Sequence, residues 1–329
     1  MPAPDRGAAA GLPAAACRSD IALVVRPRDL NTYQKVFGGY VMHRVDELAT
    51  DLVAALSGRP AVTAHLDRLT FTAGIAAFQR MRMAAAVTRT FRSSMDVVVA
   101  VEGEDPLTGR TWSTARATLA VVGLDLAGRP APLPGVVPAN AEERAAFEAA
   151  GERRRRRMEE RRAGDPMPPP PGPEDADRLS WAGCSRIVPA RHSAGAGQAS
   201  AGWILALADE LAAICASRHC AGPCVTAAVD DVVFLRPVPV GDVVALEAYL
   251  TAAFRTSMEV RVDVWHRPRH GRARAPVARC HFTYVAVGPD GRPAPVPPFA
   301  PRHPWEHELF AAAERRRERG RAAARDARP

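Results

Sequence analysis

GWILALADELAAICASR, residues Gly202 to Arg218, decides the fold. Apolar residues run almost all the way round a helix here, the pattern of a helix buried on every side. Asp209 and Glu210 nevertheless stand at its centre. A carboxylate is costly to bury unless it is paired or at work, so one of the two is expected to face a site. A second stretch repeats the first. In GYVMHRVDELATDLVAAL, Gly39 to Leu56, Asp46-Glu47-Leu48-Ala49 stands 163 positions ahead of Asp209-Glu210-Leu211-Ala212. The same separation relates Val62-Thr63-Ala64 to Val225-Thr226-Ala227, and Asp67 and Phe71 to Asp230 and Phe234. It also relates Thr88, Phe91, Arg92, Ser94 and Met95 to Thr251, Phe254, Arg255, Ser257 and Met258, and Gly128-Arg-Pro-Ala-Pro132 to Gly291-Arg-Pro-Ala-Pro295. A constant separation without net insertion marks a tandem duplication, and the chain is read as two copies.

The length of 329 residues suits two domains of ordinary size, and an apolar fraction of 47% is enough for packed cores. Aromatic residues make up 6%, so Val, Leu and Ala are expected to build those cores. The net charge of +8 suits an anionic ligand. Much of it lies in two Arg runs, Arg153–Arg157 and Arg315–Arg319, read as solvated helix faces. No groove-reading motif, aromatic interleaving or zinc-finger spacing accompanies them, so nucleic acid is not an expected partner. None of the six cysteines forms a CxxC, and the cluster of Cys215, Cys220 and Cys224 with His219 lacks zinc-site spacing. The thiols read as buried or incidental in a reducing compartment, and no metal is expected. Cytoplasm is the expected location, with a mitochondrial or other organelle matrix as the alternative. The Ala/Arg content of the first thirty residues hints at a transit peptide, against which Asp5 and Asp20 count. No apolar run is long enough to span a membrane, and no charged n-region leads an apolar h-region as in a secretory signal.

Along the chain, residues 1–18 read as a disordered tail rich in Ala, Pro and Gly. A strand is expected over Ile21–Arg26, then a polar loop Asn31–Gly38 and the first central helix from Gly39. Segments of strand character follow at Ala61–Phe71, Met81–Thr90, Ser94–Glu102 and Thr111–Val122, where β-branched residues are dense. Ala141–Arg162 reads as a charged helix whose acids precede its Arg run, which suits the helix dipole. Residues 164–178 form a proline-rich linker. The second copy repeats the order: a strand near Ser185–Ala190, a loop His192–Ala201, the central helix, four strand segments to Val287, and a last helix Trp305–Arg325. The expected organisation is α+β, with residues 19–163 as one domain and 179–329 as the other, each ending in an Arg-rich helix. A helix followed by consecutive strands implies an antiparallel sheet, and a long apolar helix beside a curled sheet buries both.

The residues from Asn31 through Phe37-Gly38-Gly39-Tyr40-Val41-Met42 to Asp46-Glu47 resemble the helix entry of the hotdog-fold acyl-CoA thioesterases. The tract from Arg218-His219-Cys220 through Val225-Thr226-Ala227-Ala228-Val229-Asp230 to Arg255-Thr256-Ser257-Met258-Glu259-Val260 is similar to the second domain of the cytosolic and mitochondrial tandem-hotdog acyl-CoA thioesterases. The resemblance covers roughly Ile21–Pro298. It implies two hotdog domains, each a long central helix wrapped by a curved antiparallel β-sheet. It also implies hydrolysis of acyl-CoA to a fatty acid and CoA, with no metal or organic cofactor. Such proteins commonly assemble further, and a trimer of double hotdogs is the expected homo-oligomer.

Thioester hydrolysis needs a water made nucleophilic and a carbonyl oxygen stabilised as it gains charge. A buried helix carboxylate can serve the water, a helix N-terminal N–H can hold the oxyanion, and a glycine pair lets the thioester come close. In the family the acid comes from one copy and the Asn and Gly-rich helix entry from the other. Carried over, this gives one complete site of Asp209 with Asn31, Gly38 and Gly39. The reciprocal site pairs Asp46 with Ala194, lacks the amide and is read as degenerate. Arg92, Ser94, Arg255 and Ser257 are candidates to meet the phosphates of CoA, or to bridge charges across the sheet.

Structural roles are open for several of these groups. Asp46 or Asp209 could cap a turn or pair with an Arg, Glu47 and Glu210 suit structural hydrogen bonds or solvent, and mid-strand Asp67 and Asp230 suit an Arg or backbone partner. Ser200 lies in no nucleophile elbow. His43, His65 and His192 have no Ser or Cys partner in a nucleophile motif. A hotdog hydratase, which needs an Asp/His pair in one site, is disfavoured because only His43 and His192 lie near a helix entry. A decayed hotdog that binds acyl-CoA or acts as a scaffold is the alternative function, consistent with Gln34 where the family often has Gly and with Ala201 for the first Gly of the second copy.

Overall fold

The computed structural model of the protein describes residues 11–163, 180–230 and 232–326. The first copy runs β1 (Arg18–Val24), α1 (Gly38–Ser57), β2 (Ala61–Leu66), β3 (Leu69–Phe71), β4 (Arg80–Thr90), β5 (Ser94–Glu104), β6 (Thr111–Gly123) and α2 (Ala141–Ala163). The second runs β7 (Ala182–Ile187), α3 (Ala201–Cys220), β8 (Cys224–Val229), β9 (Val232–Val233), β10 (Val243–Ala253), β11 (Ser257–Arg267), β12 (Ala275–Ala286) and α4 (Pro304–Asp326). The spacing read from sequence holds for both ends of α1 and α3, of α2 and α4, and of β2, β4 and β5 with their partners. Even the irregularities repeat: β4 shifts register between Val87 and Arg89, and β10 between Leu250 and Ala252.

Each copy is a hotdog, an antiparallel sheet curled round its central helix. Alternation along β5 explains the packing. Met95, Val97, Val99 and Val101 are fully buried beneath the helix, while Asp96 faces the opposite side. The two sheets join into one of twelve strands, in the order β1-β4-β5-β6-β3-β8-β12-β11-β10-β7, with β2 bridging β6 and β9. The seam is reciprocal: Leu69 and Thr70 pair with Val229 and Ala228, and Val232 and Val233 pair with Leu66 and His65. Across it α1 packs on α3, and a glycine on each helix permits the approach. A Cβ on Gly39 would stand 2.9 Å from Ala206 Cα, and one on Gly202 would stand 2.7 Å from His43 Cα.

The Arg-rich helices are only partly the solvated faces expected of them. Arg155 is exposed beside Glu152, but Arg153 meets Asp96 at 2.6 Å and Arg157 meets both Asp67 and Asp96 at 3.2 Å. In the second copy Arg316 meets Glu259 at 2.7 Å, and Arg68 pairs with Asp230 across the seam. The physical reason is the outer sheet face, which carries acids at mid-strand. A helix that covers them must bring counter-charge. The Arg partners expected for Asp67 and Asp230 are these.

Five other details differ from expectation. The tail is shorter than residues 1–18: Leu12–Pro13 pair in parallel with Val136–Val137, and Cys17 is fully buried. Residues 1–10 and the expected linker 164–178 lie outside the described residues. The single strand Ala61–Phe71 divides at Asp67–Arg68 into two strands that both pair with β6, the first also meeting β9 and the second β8. The first strand of each copy starts three residues earlier than read, and the loop His192–Ala201 contains a two-residue antiparallel pair, Ser193–Ala194 with Gln198–Ala199. The central helix of the second copy is not buried all round, since Glu210, Ile214 and Arg218 form an exposed stripe.

Candidate active site

Asp209 sits at mid-helix in α3 with no exposed surface. Its Oδ1 accepts hydrogen bonds from Thr226 Oγ1 at 2.8 Å and Tyr284 OH at 2.6 Å, and the tyrosine also lies 2.7 Å from the Asp209 carbonyl. The other oxygen, Oδ2, faces the first copy: a Cβ on Gly38 would stand 3.0 Å from it and 3.2 Å from Thr226 Cβ. No donor among the described residues meets Oδ2 in full hydrogen-bond geometry. Burial pushes the Asp209 carboxyl up to about 6, against the lowering pull of Tyr284, Thr226 and the Gly39 N–H, with Glu210 adding to the rise. A base of that strength is ionised at neutral pH and still basic enough to take a proton.

Opposite this carboxylate is the N-terminus of α1. Its N-cap residue, Phe37, offers no side-chain acceptor, so the leading N–H groups at Gly38 and Gly39 are not occupied by a side-chain cap. The α3 N-terminus is different. Ser200, the counterpart of Phe37, accepts from Trp203 N at 3.0 Å. The α1 N-terminus thus lacks the side-chain cap that α3 has, and its positive end lies against an acid of the other copy.

Asn31 organises the loop that delivers α1. Its Oδ1 accepts from Tyr33 N at 2.9 Å and Lys35 N at 3.2 Å, and its main chain pairs with Lys35 at 2.7 Å. Gln34 adopts φ 58°, the left-handed conformation that glycine takes without cost. With Oδ1 spent on the loop, the NH2 is the part of the Asn31 side chain left to serve a substrate or water. The loop lies on the second copy: Tyr33 is raised by burial and then by Cys224 and Cys220. Cys224 is not a nucleophile in waiting, since burial holds its thiol up at about 11.

The reciprocal acid, Asp46, is 2% exposed. Its Oδ2 accepts from Gly202 N at 2.8 Å, and burial raises its pKa against Thr63, Gly202 and His43. Thr63 occupies the place of Thr226 without completing a hydrogen bond of good geometry, and Val121 stands where the other copy has Tyr284. Ala194 stands where Asn31 would be. Sequence reading left His43 and His192 apart, yet their rings meet edge to face at 5.5 Å beside Asp46. Tyr284 was missed as well. Its signal is a tyrosine in a strand position where the twin has valine.

The four residues expected at CoA phosphates are not gathered at Asp209. Arg92 and Arg255 are exposed on the β4–β5 and β10–β11 hairpin turns. Ser94 is buried beneath α2, with Arg154 Nη1 3.4 Å from its Oγ. Ser257 occupies the same place in the second copy and is half-buried. Glu210 is exposed on the far side of α3, and Glu47 pairs with Arg44 and His43, as structural readings had them.

The family described as the thioesterase superfamily matches residues 33–109 and 196–273, once in each copy. A protein of Zymomonas mobilis subsp. mobilis described as an uncharacterized acyl-CoA thioester hydrolase is 39% identical over 103 residues, 31% of this chain and 69% of that one. The cytosolic acyl coenzyme A thioester hydrolase of Mus musculus is 29% identical over 302 residues, 87% of this chain and 79% of that one. The crystal structure of an acyl-ACP thioesterase from Bacteroides thetaiotaomicron superposes with a TM-score of 0.50 at 12% identity, over 82% of this chain and 98% of that one. That last likeness is one of fold.

Proposed function

The chain belongs to the thioesterase superfamily and hydrolyses acyl-CoA thioesters, and on that premise we propose a single hydrolytic site built from both copies. The carrying observation is that the Asp209 carboxylate of the second copy faces the uncapped Gly38–Gly39 helix end of the first. Asp209 Oδ2 takes a proton from water, whose oxygen attacks the thioester carbonyl carbon. The α1 N-terminus stabilises the oxyanion as charge develops, and the absence of a side chain at Gly38 and Gly39 gives the carbonyl room. The Asn31 NH2 orients the water or the carbonyl. Collapse of the tetrahedral intermediate breaks the C–S bond, and the thiolate of CoA leaves with the proton that Asp209 collected. The chemistry calls on no metal or organic cofactor.

Asp46 lacks the amide, since Ala194 stands where Asn31 would be, so we read it as outside the hydrolytic machinery. Thiol release from a panel of short to long acyl-CoAs tests the assignment, with wild type, Asn31→Ala, Asp209→Asn and Asp46→Asn side by side. Turnover lost in the first two variants and kept in the third supports it. Survival in Asp209→Asn with loss in Asp46→Asn overturns it.

The exposed edges of the joined sheet, β1 and β7, leave Val24 and Ile187 each 52% open, and support further assembly, for which we propose three chains. Light scattering of the purified protein reads the mass directly. No described helix is long and apolar enough to cross a membrane. The six unpaired thiols support the cytoplasm as the compartment.

A further inference from the structure

Hydrolysis leaves Asp46 without a task, yet the groups around it are not those of an abandoned site. Its Oδ1 is buried with no hydrogen-bond partner among the described residues. The carboxyl opens on a cavity of about 220 Å³, where His43, Glu47 and Asp51 of α1 face Arg191 and His192 from the turn ahead of α3. Neither imidazole is inherited from the duplication: Ala206 stands in the place of His43 in the second copy, and Asp29 in the place of His192 in the first. His192 is fixed in place, stacked on Trp203 at 5.5 Å and 13°. The His43 ring stands 5.5 Å from that of His192, with its Nε2 3.4 Å from Glu47.

We infer that the Asp46 cavity is a second catalytic centre, which adds water across the double bond of an α,β-unsaturated acyl thioester. The inference rests on the chain's acyl-CoA chemistry and extends it to a second reaction. Hydrolysis needs one proton acceptor, because the leaving thiolate takes the proton away. Hydration of an enoyl thioester needs two groups, a base for the attacking water and an acid for Cα. The cavity supplies such a pair, with environments that push them apart. Burial raises Asp46 and favours its protonated form, whereas burial and the neighbouring His43 lower His192 and favour neutral imidazole. His192 takes a proton from water as the oxygen bonds to Cβ. The π pair moves to Cα and takes the proton of the Asp46 carboxyl. His192 gives its proton to solvent and the Asp46 carboxylate takes one back from it, which restores the site. Water and enoyl thioester become a 3-hydroxyacyl thioester, with nothing oxidised or reduced.

Crotonyl-CoA is the probe, used with the full chain carrying Asp209→Asn so that the thioester persists, and the 3-hydroxy product is separated by chromatography. The expected result is product formation that falls at least about 100-fold on adding either Asp46→Asn or His192→Ala, the range of general acid–base contributions. His192 is only partly buried, so a His192→Ala protein that melts with its parent and loses hydration separates chemistry from folding. Hydration that survives both substitutions overturns the inference, as does a folded wild-type protein that forms no 3-hydroxy product. Thiol release from a saturated acyl-CoA by wild type, run in parallel, reports separately on the hydrolytic reading.

Discussion

Gly38 of the first copy lies against Asp209 of the second so closely that a methyl group on the glycine would stand 3.0 Å from the carboxylate Oδ2. The contact joins a helix end that offers N–H groups to an oxygen that can take a proton. Gly38→Ala should therefore place a carbon where substrate and water must meet. A fall in kcat/KM of about 100-fold, with the folded protein retained, is the expected outcome in a thiol-release assay.

Asp209 ties activity and stability to pH in opposite senses. Its carboxyl titrates at about 6 when folded, above its ordinary value of 3.8. The folded state thus holds a proton that the unfolded state gives up between these values. The stability from this group is fully present below about 3.8 and is lost as pH rises through about 6. The proposed mechanism needs the ionised form, so kcat/KM should rise along an acid limb near pH 6. Asp209→Asn should abolish that limb together with turnover, and should raise thermal stability at pH 8 by about 1–3 kcal/mol.

Tyr284 sets the strength of that base. Its hydroxyl donates to Asp209 Oδ1 at 2.6 Å and lowers the carboxyl pKa. Tyr284→Phe keeps the buried ring and removes the donor, so the acid limb of kcat/KM should move to higher pH. A pH–rate profile checks this, since a merely structural role would lower the rate without moving the limb.

How much of this was legible in the sequence follows from what each feature depends on. The duplication, the paired acids on the central helices and the glycine entry of α1 are local patterns, and the constant separation between Asp46 and Asp209 located them. The proposed cross-copy partnership of Asp209 with Asn31 came only with the family resemblance. His43 with His192, and Arg153 with Asp96, could not be read, because sheet curvature and the seam bring them together and no local spacing encodes either. Tyr284 was readable in principle, as a polar residue at an inward position where its twin is Val121. The Arg runs misled because charge alone does not say which face of a helix is covered.

Asp96 is fully buried beneath Arg153 and Arg157. Asp96→Ala leaves two partly buried guanidinium groups to share Asp67, and chemical denaturation should show a loss of about 3 kcal/mol. Thiol release by the protein that remains folded should change little, because α2 lies on the outer face of the sheet.

The two central helices end differently at equivalent positions. Gly58 closes α1 at φ 64°, while Ala221 closes α3 at φ 50°, a conformation that costs a residue with a Cβ. Ala221→Gly should stabilise the protein by about 0.5–1 kcal/mol, the strain relieved less the added freedom of the unfolded chain. A melting temperature unchanged or lowered would count against strain at that cap.

The reciprocal seam, in which β3 joins β8 and β9 joins β2, puts both half-sites of each centre on one polypeptide. In a pair of identical subunits every substitution appears twice, so no change can improve one centre while sparing the other. Covalent fusion lifts that constraint. Asn31 could be lost as Ala194, and His43 and His192 gained, on one side alone. The symmetry of the fold is kept by packing, and that of its chemistry is free to drift.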